Sequence, residues 1–467
     1  MQIKKLELKN FARFENLVVD FAPQNDAQGN VTVFIGNNGS GKTAILKALA
    51  LSLSWLVARI KRDKGNGSLI NELDILNGER FAQISLTVEE QSKAFHWTLA
   101  KTAKGKKSKA ESSLTDTTKL ADIYRSQFTE NNEASFPLII YYPVERAVLD
   151  VPLKIRTKHN FSQLDGYDNA LSQGVDFRRF FEWFRDREDV DGEIKNSYLI
   201  ETLRKAKAAD KPDELDRLEN PPNDSQWTTI SIRIPLELLE SFPVDKQLKT
   251  VRKAITSFIP EFSYLRIQRK PRLTMLVDKN GCDDPLDILQ LSQGEKSLMA
   301  LVGDIARRLA MMNPALENPL LGEGVVMIDE IDMHLHPKWQ RSIVQNLQNT
   351  FPNCQFILTT HSPAVISDSP NLLVYELNDG EVTKLPNLYG MDVNMVLLQE
   401  MDTEVRNTQI EQQLNDLFNT IQMRELDSAK EKLSQLEKLL PINNSDLLKA
   451  RLLLRKMELR HAQNQQN

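Results

Sequence analysis

The sequence predicts an α/β protein that carries a helical insertion and a helical C-terminal tail. Two patterns predict the α/β part. A wholly apolar, β-branched run at residues 31–35 (VTVFI) passes through glycines straight into the helical stretch AILKALALSLSWLV. From Ser292 onward, helix and strand patterns alternate as far as residue 377. The third observation is compositional. Between residues 151 and 227, charged, helix-compatible segments such as DFRRFFEWFRDRE replace the strand patterns and end at Pro221-Pro222.

Each element has its own signal. Residues 3–8 (IKKLEL) alternate apolar and charged, as a half-buried strand does, and residues 17–21 (LVVDF) give a second short strand. Residues 80–100 read as two strands, RFAQISLTV and AFHWTLA, followed by a Lys-rich loop, KTAKGKKSKAESS, and the strand PLIIYY at 137–142. Strand patterns return at 228–234 (TTISIRI), 263–268 and 272–277. A helix near Ser292 then precedes the strand VVMIDE, the helix KWQRSIVQNLQNTF, the strand QFILTTH and the short strand LLVYEL. Beyond residue 390, Ile410, Leu414, Leu417 and Ile421 share one helical face. Leu426, Ala429, Leu433, Leu436 and Leu440 share another, and a third helix follows Pro441. The expected organisation is a first lobe at 1–150, the helical insertion at 151–227, a second lobe at 228–390 and the helical tail at 391–467.

Composition excludes several classes. The chain of 467 residues, 41% hydrophobic and 26% charged, is of ordinary globular composition, with room for two or three cores. A net charge of −5 offers no global field for nucleic acid, so any such contact is a local patch. Cys282 and Cys354 lack disulfide-framework or zinc-ribbon spacing. The opening MQIKKLELKNF is broken by charge before a signal-peptide core forms, and the uncharged run Ala48 to Ala58 is well short of the ~20 residues that span a bilayer. A reduced, cytoplasmic protein with no membrane contact is expected.

Gly36-Asn37-Asn38-Gly39-Ser40-Gly41-Lys42-Thr43 fits G-x-x-x-x-G-K-[ST] between a strand and a helix. Small residues let successive N–H groups converge on phosphate oxygens, and the helix N-terminus adds a favourable dipole. Lys42 is expected to reach the β- and γ-phosphates, and the Thr43 hydroxyl to ligate Mg²⁺. Val325 to Glu330 is an apolar strand ending in two carboxylates. Asp329 is expected to hold Mg²⁺, and Glu330 to orient or deprotonate an attacking water. ATP and Mg²⁺ are therefore the expected ligands.

Leu291-Ser292-Gln293-Gly294-Glu295-Lys296 resembles the signature sequence of ATP-binding-cassette (ABC) ATPases, in which the N-terminus of a helix faces a γ-phosphate. Ser292 with Glu295 is also a capping box, and both readings can hold. Asp332, after Ile331, matches the D-loop of that superfamily, and His361 in Thr359-Thr360-His361-Ser362 matches its switch histidine. His334 and His336 suggest a metal pair by spacing alone, which is a weak signal.

The order Walker A, signature, Walker B, D-loop and H-loop resembles the ABC ATPases of the RecF/SMC/OLD type. LKNFARFENLVVDF resembles the N-F-x-x-F opening of recombination ATPases, and DEIDMHLHPKWQ a run of the OLD-like group. The tail, LPNLYGMDVNMVLLQEM through ELDSAKEKLSQLEKLL, is similar to that of the PtuA ATPase subunits of Septu-type anti-phage systems, a type also found as a retron effector. This resemblance implies an ABC-ATPase head: a mixed β-sheet lobe plus a RecA-like parallel-sheet lobe. It also implies a homodimer or higher homo-oligomer joined head to tail around ATP, and a small HNH-type nuclease (PtuB-like) in trans. Two departures stand out. The strand end IIYYPVERAVLD supplies no glutamine for a Q-loop, and Gln83 lies inside a strand pattern. The tail also lacks the carboxylate cluster of a Toprim nuclease, and His461 is its one histidine.

Lys101, Lys104, Lys106, Lys107 and Lys109 form a basic cluster on a loop, either simply solvated or contacting the phosphate backbone of nucleic acid. Phe180, Phe181, Trp183 and Phe184 could stack bases, but their helical spacing favours a core role. An ATPase gating a separate nuclease in anti-phage defence is the first reading. A RecF-like DNA-repair ATPase without a nuclease partner and a nucleotide-sensing retron regulator are the alternatives.

Overall fold

The computed structural model describes residues 1–24, 29–107, 110–144, 147–148, 161–172, 174–208, 243–400, 407–441 and 443–465. The chain divides into two units, Met1–Gly390 and Met391–Asn467.

The alternating residues at the start of the chain pair as a hairpin. Strands β1 (Gln2–Phe11) and β2 (Phe14–Asp20) place Leu6 opposite Val19 and Leu8 opposite Leu17, all four buried. With β4 (Phe81–Glu90) and β5 (Lys93–Thr102) they form an antiparallel sheet of order β2-β1-β4-β5. The apolar runs build a second, six-stranded sheet. Its parallel strands are β3 (Val31–Gly36), β6 (Leu138–Tyr142), β12 (Gly324–Ile328), β13 (Cys354–Thr359) and β14 (Leu373–Asn378). Their order is β14-β3-β13-β12-β6, with β15 (Glu381–Lys384) antiparallel at one edge. β6, β12 and β13 are buried at every residue, as strands covered on both faces must be. Two smaller ladders complete the unit: β7 (Ala147–Val148) beside β8 (Val175–Asp176), and β9 (Phe262–Gln268) and β10 (Thr274–Lys279) with β11 (Leu286–Asp287).

Helix α1 (Lys42–Lys61) packs against β3, β4, β6, β13 and α2 (Thr115–Glu130). Among the described residues it is the one helix long and apolar enough to cross a membrane by length and composition, a criterion that the shorter run from Ala48 to Ala58 does not meet. Here its apolar residues Ile45, Leu46, Leu49, Leu53 and Leu56 are buried. Helices α3 (Phe177–Ala208), α4 (Lys246–Phe258) and α5 (Gln293–Met312) pack together, and α5 is buried at every residue from Ser297 to Met312. Helices α6 (Pro337–Thr350) and α7 (Pro363–Ser367) follow β12 and β13.

Several expectations change. Lys101 lies in β5 opposite Ala82, not in the loop; Lys104, Lys106 and Lys107 are exposed beyond it, and Lys109 is outside the described residues. Helix α2 has no counterpart in the sequence reading, because it buries only Thr117, Leu120, Ala121 and Tyr124 and so carries a weak apolar period. In the segment expected to be helical, the described residues before α3 include a 3₁₀ turn at Gln163–Tyr167 and strand β8, while residues 151–160 and 209–227 lie outside the described residues, as does TTISIRI. Phe180, Phe181, Trp183 and Phe184 are fully buried, which removes them as base-stacking residues. Gly303 of α5 lies against Phe180, where a Cβ would come within 2.9 Å of the ring.

In the C-terminal unit, α8 (Val393–Glu400) precedes α9 (Thr408–Gln422), α10 (Leu426–Leu439) and α11 (Ser445–Gln465). The last three share one core of Leu414, Leu417, Ile421, Ala429, Leu433, Leu436, Leu447, Ala450 and Leu454. Asn407 caps α9, accepting from the N–H groups of Gln409 and Ile410. Leu417→Ala in the full chain should cost about 2–5 kcal/mol and open this unit to limited proteolysis, cleavage sites mapped by mass spectrometry being the measurement.

Candidate functional site

The site forms where the parallel strands end. Register sets Phe34 beside Thr359 and Ile328 beside both Leu358 and Tyr142, so the chain leaves β3, β13, β12 and β6 at one level. The carboxyl edge of such a sheet is where ligands bind in open α/β folds.

The loop from Gly36 to Thr43 turns from β3 into α1. Gly36 has φ 140°, and a Cβ there would lie 2.3 Å from the Leu377 carbonyl oxygen. Gly41 caps α1 at φ 106°, where a Cβ would meet the Phe14 ring at 2.4 Å. Only glycine fits either position. Asn37, Asn38, Gly39 and Thr43 are exposed, whereas Ser40 is buried and its Oγ has no hydrogen-bond partner among the described residues. Lys42 donates from Nζ to the carbonyls of Gly36 (2.8 Å) and Asn37 (3.0 Å). Burial pulls its ammonium below the usual lysine range, while the charges of Glu330, Asp329 and Asp332 oppose that shift. One buried cation thus faces three carboxylates.

Two of those carboxylates and the Glu330 main chain are held by Thr359 at the end of β13 and the residues that follow it. Thr359 Oγ1 donates to Asp329 Oδ1 at 2.5 Å and accepts the Glu330 N–H at 2.7 Å. Thr360 Oγ1 donates to Asp332 Oδ1 at 2.5 Å, and the His361 N–H reaches the same oxygen at 3.3 Å. Glu330 sits at φ 47°, in the left-handed region that costs a side-chain-bearing residue roughly 1–2 kcal/mol. Its N–H bond to Thr359 and its carbonyl, which accepts from Met333 N at 3.0 Å, hold it there. Strain of this kind collects at functional sites.

Ser292, Gly294 and Glu295 open α5. Ser292 Oγ accepts from the Glu295 N–H at 3.3 Å, and Glu295 Oε2 accepts from the Ser292 N–H at 2.9 Å, a complete capping box. Lys279 Nζ donates to Glu295 Oε1 at 2.6 Å. Gly294 lies against the His334 carbonyl, where a Cβ would come within 2.7 Å. Ser292 and Glu295 thus bond to each other, to Lys279 and to Lys296, and not, among the described residues, to the loop at Gly36–Thr43. His336 caps α6 through Nδ1, and no group of three or more His, Cys, Asp or Glu side chains placed to hold a metal occurs among the described residues.

Three contributors have no clear signal in the sequence. In the sequence Thr359 and Thr360 stand only as the approach to His361, whereas in the structure their hydroxyls orient both aspartates. Arg13 donates to the Gly39 carbonyl and pairs with Asp379 at 3.6 Å, laying a second cation along the loop. Its only local signal is its place inside NFARF. Thr359→Val removes a donor and an acceptor at a fully buried position and should cost about 1–3 kcal/mol in denaturant unfolding, with Thr359→Ser recovering most of the loss.

Residues 1–366 match the AAA ATPase domain family. A "Retron Ec83 probable ATPase" from Escherichia coli is 35% identical over 405 residues, 83% of this chain and 73% of the relative. "Septu protein PtuA" from Bacillus mycoides is 24% identical over 93% of this chain, which spans about half (51%) of that relative. A solved SMC head bound to the C-winged helix domain of ScpA aligns with a TM-score of 0.43 at 16% identity, over 82% of this chain and 98% of that one. The resemblance to Septu and retron ATPases drawn from the tail is thus met by relatives that bear those names. By the extent of the domain match and the identity to the retron relative, this chain belongs to the AAA ATPase domain family.

Proposed function

We propose that the chain binds and hydrolyses ATP as the ATPase subunit of an anti-phage defence complex, closing head to tail on a second copy and regulating a separate HNH-type nuclease. The observation that carries the hydrolytic reading is the convergence of Asp329, Glu330 and Asp332 on Lys42 at the end of the glycine loop. The retron and Septu relatives support the defence setting.

The donor set fits a nucleotide with its metal. The N–H groups of the loop, the unbonded Ser40 Oγ and the Thr43 hydroxyl at the start of α1 face phosphate chemistry, and three carboxylates lie within electrostatic reach. Thr43 and Asp329 would hold Mg²⁺, which when bound supplies charge neutralisation between the β- and γ-phosphates. Lys42 exchanges the carbonyls of Gly36 and Asn37 for phosphate oxygens. Thr359 holds the Asp329 carboxylate in one orientation and so limits its reorganisation. Glu330, on its strained turn, accepts the proton of the attacking water, and His361 orients that water. Asp332, carried between Thr360 and the His361 N–H, lies at the seam between copies. Ser292, Gly294 and Glu295 present the N-terminus of α5 to the γ-phosphate bound by the second copy, which accords with their separation from their own loop in the hydrogen-bond pattern.

The helices of the C-terminal unit are assigned to the docking of the nuclease. Lys104, Lys106 and Lys107, exposed after β5, are assigned to the phosphate backbone of nucleic acid, a contact that carries no sequence information.

Lys42→Ala should abolish nucleotide binding. Glu330→Gln should lower turnover by about 10²–10⁴-fold while keeping ATP-bound dimers, read by phosphate release and light scattering. Wild-type turnover in Glu330→Gln would end the general-base assignment. Ser292→Arg should bind ATP yet fail to hydrolyse it, and mixing it with Lys42→Ala should restore one working site per dimer. Absence of any rescue on mixing would remove the two-copy arrangement.

A further inference from the structure

The cluster that carries an inference beyond the nucleotide site lies beneath it, between α5 and β6. Tyr142 closes β6, and its carbonyl accepts the Asp329 N–H at 2.9 Å. Its hydroxyl points the other way and donates to Asp304 Oδ2 at 2.9 Å. Asp304 lies on α5, twelve residues and just over three helical turns beyond Ser292. A single residue therefore grips the Asp329 strand through its main chain and the helix of Ser292 through its side chain.

The carboxylate it grips is rigidly set. Asp304 Oδ1 accepts from Arg307 Nη2 at 2.7 Å and Nε at 3.2 Å, and Oδ2 from Arg308 Nε at 2.8 Å. Arg308 Nη1 continues to the carbonyls of Gly166 (2.5 Å) and Asp168 (3.0 Å). The Asp168 side chain in turn binds Lys61, the last residue of α1, and Arg179 of α3 at 2.9 Å. Asp304 and Tyr142 are fully buried, and Arg307 and Arg308 are 1% and 2% exposed. Burial works against the Asp304 charge, but the Arg308 and Arg307 guanidiniums hold the carboxyl at about 2, so it stays ionised. A buried ion cluster is a poor source of net stability, since apolar residues of the same volume often do as well. What it provides is a fixed spatial relation among the elements it joins.

We propose that Tyr142 and Asp304 are positioning residues that couple the seating of the α5 N-terminus to the placement of Asp329 and Glu330. The proposal rests on the reading that Ser292 acts on the nucleotide of a second copy. When α5 seats against that nucleotide, its Asp304 draws on the Tyr142 hydroxyl, and the Tyr142 carbonyl passes the displacement to the Asp329 main chain. Glu330, next along on its strained turn, shares the displacement. Because α5 is buried from Ser297 to Met312, that length moves as one body, and the hydroxyl bond is where the motion leaves it for β6.

Tyr142→Phe tests this, because it keeps the ring and the carbonyl and removes only the hydroxyl. In a cycle of wild type, Tyr142→Phe, Ser292→Ala and the double variant, steady-state ATP hydrolysis is measured against ATP concentration. Tyr142→Phe should lower kcat about tenfold with KM within twofold of wild type. The double variant should be no slower, within twofold, than Ser292→Ala alone. Wild-type kcat in Tyr142→Phe, a parallel change in KM, or effects of the two substitutions that multiply would each overturn the coupling and leave the two-copy reading intact. Wild-type kcat in Ser292→Ala would instead overturn the two-copy reading, and the coupling with it.

Discussion

The order and register of the parallel strands constrain everything else at the site. β13 lies between β3 and β12, so its terminal residue, Thr359, stands between the glycine loop and the Asp329-Glu330 pair. A slip of one residue would turn Thr359 to the other face of the sheet and leave Asp329 and Glu330 without its hydroxyl. The buried Gln355 of β13 resists such a slip, because its side chain accepts the Ile3 N–H and donates to the carbonyls of Ile3 and Ala22, bonds that a shifted strand would lose.

Around that frame the molecule holds charge in unfavourable surroundings. Lys42 is drawn down by burial and sits opposite three carboxylates, and Glu330 occupies a backbone conformation that bulky residues avoid. Neither arrangement serves the fold as such. The glycine loop holds Lys42 through the carbonyls of Gly36 and Asn37, while the hydroxyls of Thr359 and Thr360, at and just beyond the end of β13, hold the Glu330 turn and the two aspartates. The Asp304 cluster repeats this on a larger scale: Arg308 links the Asp304 carboxylate of α5 to the turn at Gly166–Asp168, and the Asp168 carboxylate carries the chain on to α1 and α3.

The capping box at Ser292 shows that a structural and a functional reading need not compete. The side-chain bonds of Ser292 and Glu295 satisfy N–H and carboxylate groups at the start of α5, while the N–H groups of Gln293 and Gly294 in the first turn take no part in the capping box. The same geometry that starts the helix leaves it suited to an anion. Gly294 adds a packing requirement, since the His334 carbonyl excludes any side chain there.

What could be read from the residues alone was whatever is written in consecutive positions. The glycine loop, the apolar strands, the Asp329-Glu330 terminus, the Ser292 cap and the amphipathic helices of the C-terminal unit each depend on local spacing, which strand and helix periodicity make visible. Helix α2 was missed because its apolar face is short. The partnership of Thr359 with Asp329, of Arg13 with Gly39, and of Tyr142 with Asp304 was decided only by tertiary structure. Those pairs lie 30, 26 and 162 positions apart, and no local periodicity links residues that the sheet order brings together.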